Sequence, residues 1–299
     1  MGPIPRHIGL IMDGNRRYAD RHNLIKSVGH LHGFNKLSQT LEWCKQMGVN
    51  EVTVYAFSIE NFKRSEEEVN ALMGLARDKF TNLLHEKDEL EKNGVCIRFF
   101  GALNMLPVDI QKLVAKIVLE TRHNKRAYLN VCFPYTSRHE IAEAITKISE
   151  GVQKGALTVS DIDEQLLEEC LYTNRSPDPE LIIRTSGEVR LSDFLLWQSS
   201  FSVLAFVDVL WPTFSFWDFC YAIFYYQRHH KVVEKAREEY LKQRFELEEK
   251  ANEEEYFLNE EINLENCKTT RSKRISEFLI NLENSDLQRI RELIEPVSN

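Results

Sequence analysis

The sequence has no apolar run that approaches the roughly 18 residues needed to cross a bilayer. Any membrane role is therefore expected to be peripheral, with no transmembrane helix. The opening MGPIPR has neither the apolar core of a signal peptide nor the serine or threonine of a myristoylation site. The six cysteines, at 44, 96, 132, 170, 220 and 267, form no C-x-x-C pair. That spacing argues against a zinc or disulfide framework and for reduced thiols in a cytosol-facing protein. Excess positive charge is missing too. A net charge of −8 speaks against nucleic-acid binding by bulk attraction, although local basic clusters can still hold anions. Neither G-x-x-x-x-G-K-[ST] nor G-x-G-x-x-G occurs, so phosphates bound here belong to something other than ATP or NAD. No glycine follows Gly187.

What is present is a globular composition. With 299 residues, 43% hydrophobic and 10% aromatic, the chain can bury one large core, or one core and an appendage. Short runs rich in Val, Ile and aromatics read as strands: HIGLIM (7–12), EVTVYAF (51–57), VCIRFFG (95–101), AYLNVCF (127–133), ELIIRT (180–185) and SVLAFV (202–207). Segments with apolar residues three and four apart lie between them, over 33–48, 65–94, 106–121 and 137–155, and read as helices. Ser65 with Glu68 matches a capping box, and Gly94 stands where a C-terminal glycine belongs. The alternation predicts an α/β fold, an open, mostly parallel β-sheet flanked by helices. Near residue 230 the character changes. From Lys231 to Asn299 there are 12 Lys and Arg against 17 Asp and Glu. Long helical patterns over 232–265 and 272–294 predict a C-terminal helical hairpin extension, giving a catalytic domain at 1–230 and a charged helical extension at 231–299. That extension reads as a hairpin, a partner-binding arm or a solvated helix.

Three clusters carry chemistry, and each begins where a predicted strand ends. The first is Asp13-Gly14-Asn15-Arg16-Arg17, followed by Lys26 and the Gly29-His30 pair. The second is YAFSIENFKRS (55–65), which delivers Ser58, Glu60, Asn61, Lys63 and Arg64. The third is IRTSGEVRLSDFLLWQ (183–198), with Arg184, Thr185, Ser186, Arg190 and Ser192. In open α/β sheets the carboxyl ends of strands border the ligand crevice. Guanidinium forks suit doubly charged phosphate. A lone Asp suits Mg²⁺, which keeps several waters and takes other ligands from substrate phosphates. A fourth, apolar group includes Phe80, Leu83, Leu84, Phe99 and Phe100. Singly, these residues also suit structural ion pairs, helix capping by Asp13, a loop position for His30 or ordinary core. Their coincidence at three strand ends points to a Mg²⁺-dependent enzyme acting on a diphosphate-bearing substrate.

HIGLIMDGNRRYA, EVTVYAFSIENFKRS, YTSRHEI and LIIRTSGEVRLSDFLLWQ closely resemble, in order and spacing over about residues 5–230, the cis-prenyltransferases. This is the family of undecaprenyl and dehydrodolichyl diphosphate synthases, and DGNRRYA and CLYTNRSP are most similar to its eukaryotic dehydrodolichyl branch. The resemblance implies that an allylic diphosphate, farnesyl diphosphate, accepts successive isopentenyl diphosphate units in cis geometry. It implies Mg²⁺ at Asp13, and the allylic diphosphate at Gly14, Asn15, Arg16, Arg17 and Arg64, with His30 nearby. Arg184, Arg190 and Ser192 would hold isopentenyl diphosphate. Ser58 and Asn61 would orient the reacting groups, and Phe62 would line the junction between the substrates.

Three departures from the family pattern qualify this reading. Lys26 stands where many members have arginine, and Val203 where homodimeric bacterial members have a glutamate. Single-subunit members carry an R-x-G near the C-terminus, and this chain cannot, because no glycine follows Gly187. The resemblance then implies a Nogo-B-receptor-like partner subunit that donates R-x-G. Through its membrane segment, that partner would hold the enzyme at the cytosolic face of the endoplasmic reticulum. A long helix at 66–92 goes, in this family, with longer, dolichol-type products. The alternatives are a self-sufficient homodimer or a non-catalytic scaffold.

Overall fold

The computed structural model describes residues 2–258 and 264–294, with the side chains of 2–246 and 271–294. Its centre is a sheet of six parallel strands among the described residues: β1 (His7–Ile11), β2 (Glu51–Tyr55), β3 (Val95–Phe100), β4 (Ala127–Cys132), β5 (Leu181–Arg184) and β6 (Val203–Phe206). Their order is β3-β4-β2-β1-β5-β6. The helices are α1 (Asn15–Arg21), α2 (Lys26–Met47), α3 (Glu66–His85), α4 (Lys87–Asn93), α5 (Val108–Thr121), α6 (Ser137–Gln153), α7 (Glu164–Cys170), α8 (Phe216–Leu258) and α9 (Leu264–Glu292).

The strands read as near-continuous apolar runs because both of their faces are covered. Ile8 and Leu10 of β1 join one cluster with Met73 and Phe80 of α3, Ile110 and Val114 of α5, and Phe219 and Ile223 of α8. Ile11 faces the opposite way, into a smaller cluster with Tyr135, Ile182 and Phe194. The four described buried cysteines, Cys44, Cys96, Cys132 and Cys170, are free, as is the half-buried Cys220. Cys267 falls outside the described side chains.

All six strands stand where the sequence places them, and Gly94 ends α4 in the left-handed region at φ 67°. Several boundaries differ. Helix α2 begins at Lys26, so Gly29 and His30 are helical rather than in a loop. The reason is packing: a Cβ at Gly29 would overlap the backbone carbonyl of Asn15, and one at Gly33 its side-chain amide. These glycines let α1 lie directly on α2. The expected helix over 65–94 restarts at Glu86, with neither Gly nor Pro at the break to announce it. The short α7 and a 3-10 turn at Ile59–Lys63 had no clear sequence signal.

The boundary expected at residue 230 falls inside α8, which runs from the body into the extension without a break. The returning α9 is docked rather than solvated. Phe278 is buried beside Gly151 and Leu157, and Arg271 and Arg274 engage Asp163 and Asp161. On α8, the Tyr240 hydroxyl donates to Glu164 at 2.6 Å. No helix among the described residues is long and apolar enough to cross a membrane.

Candidate active site

In a parallel sheet every strand ends on the same edge, and here β2, β1 and β5 are neighbours. The three clusters found in the sequence therefore meet. Between β1 and β5 the strand order also reverses direction, the place where open sheets leave a crevice. Register sets Ile11 beside Arg184, so Asp13 emerges next to the third cluster. Asp13 is fixed through its backbone: its carbonyl accepts from Thr185 Oγ1 at 2.7 Å and from the Trp211 amide at 3.0 Å. It does not cap α1, whose N-cap is Gly14 at φ 111°.

The Asp13 carboxylate accepts from Arg184 Nη2 at 2.9 Å and lies 3.4 Å from Arg17. Burial pushes this acid up, but the Arg184 bond, with Arg17 and Ser186, outweighs it and holds the carboxyl below its usual range. Arg184 is 4% exposed and also donates to Ser192 Oγ at 2.7 Å and to the Arg190 carbonyl. Arg17 reaches the Ser186 hydroxyl at 2.5 Å and its carbonyl at 3.2 Å. Arg64 caps the 3-10 turn and donates to Glu68 at 2.8 Å. Within that turn Ser58 and Asn61 form a reciprocal capping box, so each holds the other in place.

His30 carries a buried Nε2 without a partner, and Asn15 a buried Oδ1 in the same condition. Burial, then the Arg64 charge and that of Arg16, lowers His30 to about 4 against the opposing pull of Glu68. It is neutral at pH 7 and can offer one N–H.

A cavity of about 1130 Å³ runs from this rim between α2, α3 and the sheet. Asp13, Gly14, Asn15, Arg16, Arg17, His30, Ser58, Asn61, Arg64, Arg184, Arg190 and Ser192 all line it. Its walls are apolar, from Phe34, Leu37 and Leu41 on α2 to Leu72, Phe80 and Leu83 on α3. Phe62 is placed beside the cavity rather than in its lining. The 3-10 turn rotates its ring onto Phe57, edge-to-face at 4.9 Å, and it packs on the core. Leu84 and Phe99 likewise belong to the core, and Phe100 to the cluster across the sheet. Lys26 stands outside the lining, 3.8 Å from Glu68.

Two acids escaped the sequence reading. Glu68 had the signature of a capping box, but only its backbone N–H meets Ser65. Its carboxylate, 9% exposed, instead gathers Arg64, Lys26 and, at 3.9 Å, Arg16. Glu188 pairs with Arg17 and Arg190. A glutamate within reach of several arginines was the available signal. Six arginines and Lys79 against Asp13, Glu60, Glu86, Glu188 and Asp193 leave the lining net cationic above a largely apolar tunnel, a site for an amphiphile with a polyanionic head.

That is a diphosphate-handling α/β fold, and the comparisons agree. The sequence profile of the undecaprenyl diphosphate synthase family matches residues 11–234. The human dehydrodolichyl diphosphate synthase complex subunit DHDDS is 57% identical over 243 residues, 81% of this chain and 73% of that protein. The tritrans,polycis-undecaprenyl-diphosphate synthase (geranylgeranyl-diphosphate specific) of Thermoplasma volcanium is 46% identical, covering 77% of this chain and 88% of that one. The crystal structure of lavandulyl diphosphate synthase from Lavandula x intermedia, in complex with dimethylallyl diphosphate, superposes with a TM-score of 0.71 at 32% identity. That match covers 75% of this chain and 95% of that one. The chain belongs to the undecaprenyl diphosphate synthase family, the cis-prenyltransferases.

Proposed function

We infer that this chain is the catalytic subunit of a dehydrodolichyl diphosphate synthase, which extends farnesyl diphosphate with isopentenyl diphosphate in cis geometry. The observation that supports this most is the Asp13–Arg184–Arg17 junction at the mouth of an apolar cavity. Gly14, Asn15, Arg16, Arg17 and Arg64 bind the allylic diphosphate, while Arg184, Arg190 and Ser192 bind isopentenyl diphosphate.

The allylic C–O bond breaks with its electron pair leaving on the diphosphate. The isopentenyl π bond then closes on the freed carbon, and a proton passes to the released pyrophosphate. Arginines aimed at the leaving group stabilise charge as it develops, which is where binding accelerates a reaction. Ser58 and Asn61, locked to each other, keep the second strand end rigid beneath the reacting carbons. Neutral His30 donates its N–H to phosphate without adding charge of its own. The hydrocarbon tail enters the tunnel, where each five-carbon unit gains roughly 3–4 kcal/mol from burial.

Mg²⁺ fits the donor set. Asp13 stays ionised and would hold the ion, whose remaining ligands would be substrate phosphate and water, as Mg²⁺ prefers. Held there, the ion would supply neutralisation of charge on the departing diphosphate. The human and mouse relatives are named as subunits of a complex, which supports a Nogo-B-receptor-like partner that completes the isopentenyl site and anchors the complex peripherally at the cytosolic face of the endoplasmic reticulum.

The test is isopentenyl incorporation by the purified full chain, alone and with an R-x-G-bearing partner. Incorporation is expected with the partner. Full activity from the chain alone overturns the heteromer, and no incorporation in either arm overturns the synthase reading.

A further inference from the structure

Glu188 sits between the two groups of arginines. Its Oε1 lies 3.4 Å from Arg17 Nη1, on the side of the first cluster, and its Oε2 accepts from Arg190 of the third. The loop that carries it is rigidly set. Ser186 and Gly187 both occupy the left-handed region, at φ 78° and 72°, and their amides donate to the carbonyls of Val209 and Val207 at 2.7 and 3.0 Å. The same loop offers the Ser186 carbonyl and hydroxyl to Arg17. Glu188 thus stands on the element that aims Arg17, with its carboxylate at the cavity wall.

On the functional reading above, on which this inference rests, Arg17 serves the allylic diphosphate and Arg190 the isopentenyl diphosphate. We propose that Glu188 is a positioning residue that stands in for phosphate between the two subsites, holding Arg17 and Arg190 when the site is empty and reclaiming Arg17 as pyrophosphate departs. The chemistry favours exchange. A carboxylate carries one charge, and both it and its guanidinium partners are partly exposed, so the pairs are weak and reversible. A diphosphate carries more charge and more acceptor oxygens and displaces the carboxylate on arrival. After bond cleavage the balance has to reverse, because a product gripped by this many arginines would leave slowly. A tethered acid competing for two of them weakens that grip. Asp13 does not fill this role, since Arg184 and the metal function both draw on it. Glu68 does not bridge the subsites, because its three cations all lie in the first and second clusters.

The experiment is calorimetric titration of inorganic pyrophosphate, with Mg²⁺, into the full chain as wild type, Glu188→Gln and Glu188→Asp. Pyrophosphate inhibition of isopentenyl incorporation by the partner-completed enzyme is measured alongside. Glu188→Gln is expected to bind pyrophosphate roughly two- to fivefold tighter, the scale of a partly exposed ion pair. Inhibition should set in at correspondingly lower pyrophosphate, and kcat should fall without a rise in KM for isopentenyl diphosphate. Glu188→Asp keeps the charge and should stay within about twofold of wild type. Unchanged or weaker pyrophosphate binding by Glu188→Gln overturns the proposal, and a raised KM with unchanged inhibition assigns Glu188 a purely structural part. Because the titration needs no turnover, it reads Glu188 separately from the synthase assignment, which fails only if wild type incorporates nothing.

Discussion

The two ends of this sheet carry polar networks of opposite character. At the amino ends of the strands, His7 bonds Thr53 at 2.7 Å and the Pro177 carbonyl at 2.6 Å. Nearby, Glu51 accepts from Asn130 at 2.7 Å and pairs with Arg98, whose guanidinium stacks on Tyr128 at 4.2 Å. One carboxylate meets one guanidinium there, and His7, Glu51 and Asn130 are all but sealed from solvent. At the carboxyl ends, cations outnumber acids and the ion pairs reach solvent. Buried polar atoms without a partner remain on Asn15, His30 and Arg184 here, against the Asn130 Oδ1 at the other end. A network whose charges balance in the dry holds the fold together. One with surplus guanidinium groups at a cavity mouth is built for an anion that comes and goes.

This contrast can be broken most directly by matched substitutions. Asp13→Asn is expected to lower isopentenyl incorporation by about 10²-fold or more, as loss of a group aimed at developing charge does. Its thermal midpoint should fall as well, because the buried Arg184 loses its charge partner and keeps only Ser192 and the Arg190 carbonyl. An Asp13→Asn enzyme with near wild-type turnover would remove the metal and orienting role from this residue. Gly33→Ala probes the support beneath the site. Its methyl collides with the Asn15 amide, so activity should fall roughly tenfold from misplacement of Asn15. Overpacking should cost about 1–3 kcal/mol of stability, read by urea unfolding beside the kinetic assay. At the other end, Glu51→Gln should cost about 1–3 kcal/mol in the same unfolding assay and leave KM for both substrates unchanged. A shift in KM would mean the two ends are coupled through the sheet.

Much of this was legible before any coordinates, for reasons tied to particular residues. Strands buried on both faces announce themselves, so β1 to β6 fell within a residue or two of their expected bounds. Arginines and an Asp directly behind such runs marked the strand-end rim. Adjacency was not written locally: nothing in EVTVY or LIIR says that β2 and β5 flank β1, and only the assembled sheet brings Arg64, Asp13 and Arg190 to one cavity. Glu68 was hidden because its spacing from Ser65 fits a cap, and local rules assign a side chain to its nearest task. The packing of Phe62 on Phe57 was not legible either, since a residue inside a chemical motif can also touch the core. The helical setting of His30 depended on Gly29 and Gly33 as contact points for α1, a tertiary cause that propensity penalises.

The smallest expected effect separates the two ends by pH. His7 and His30 both lie below the ordinary histidine value near 6.5, His7 by burial against the opposing charge of Glu51, His30 by burial reinforced by Arg64 and Arg16. For a folded-state pKa that is lowered, the unfolded chain takes up the proton first. Stability is therefore complete above about 6.5 and declines as pH falls from there towards about 4 for His30. Each histidine can contribute at most about 1.4 kcal/mol per pH unit in that window. Pyrophosphate discriminates between them: its charge beside His30 raises that pKa and softens the decline, whereas His7, at the far end, does not sense it. Urea midpoints between pH 7.5 and 5 should therefore fall less steeply in saturating pyrophosphate for wild type, and His30→Gln supplies the control. In His30→Gln the slope should already be shallower, with pyrophosphate adding only a pH-independent offset. An identical pH slope in wild type and His30→Gln would place the acid sensitivity of this protein at the sealed end of the sheet.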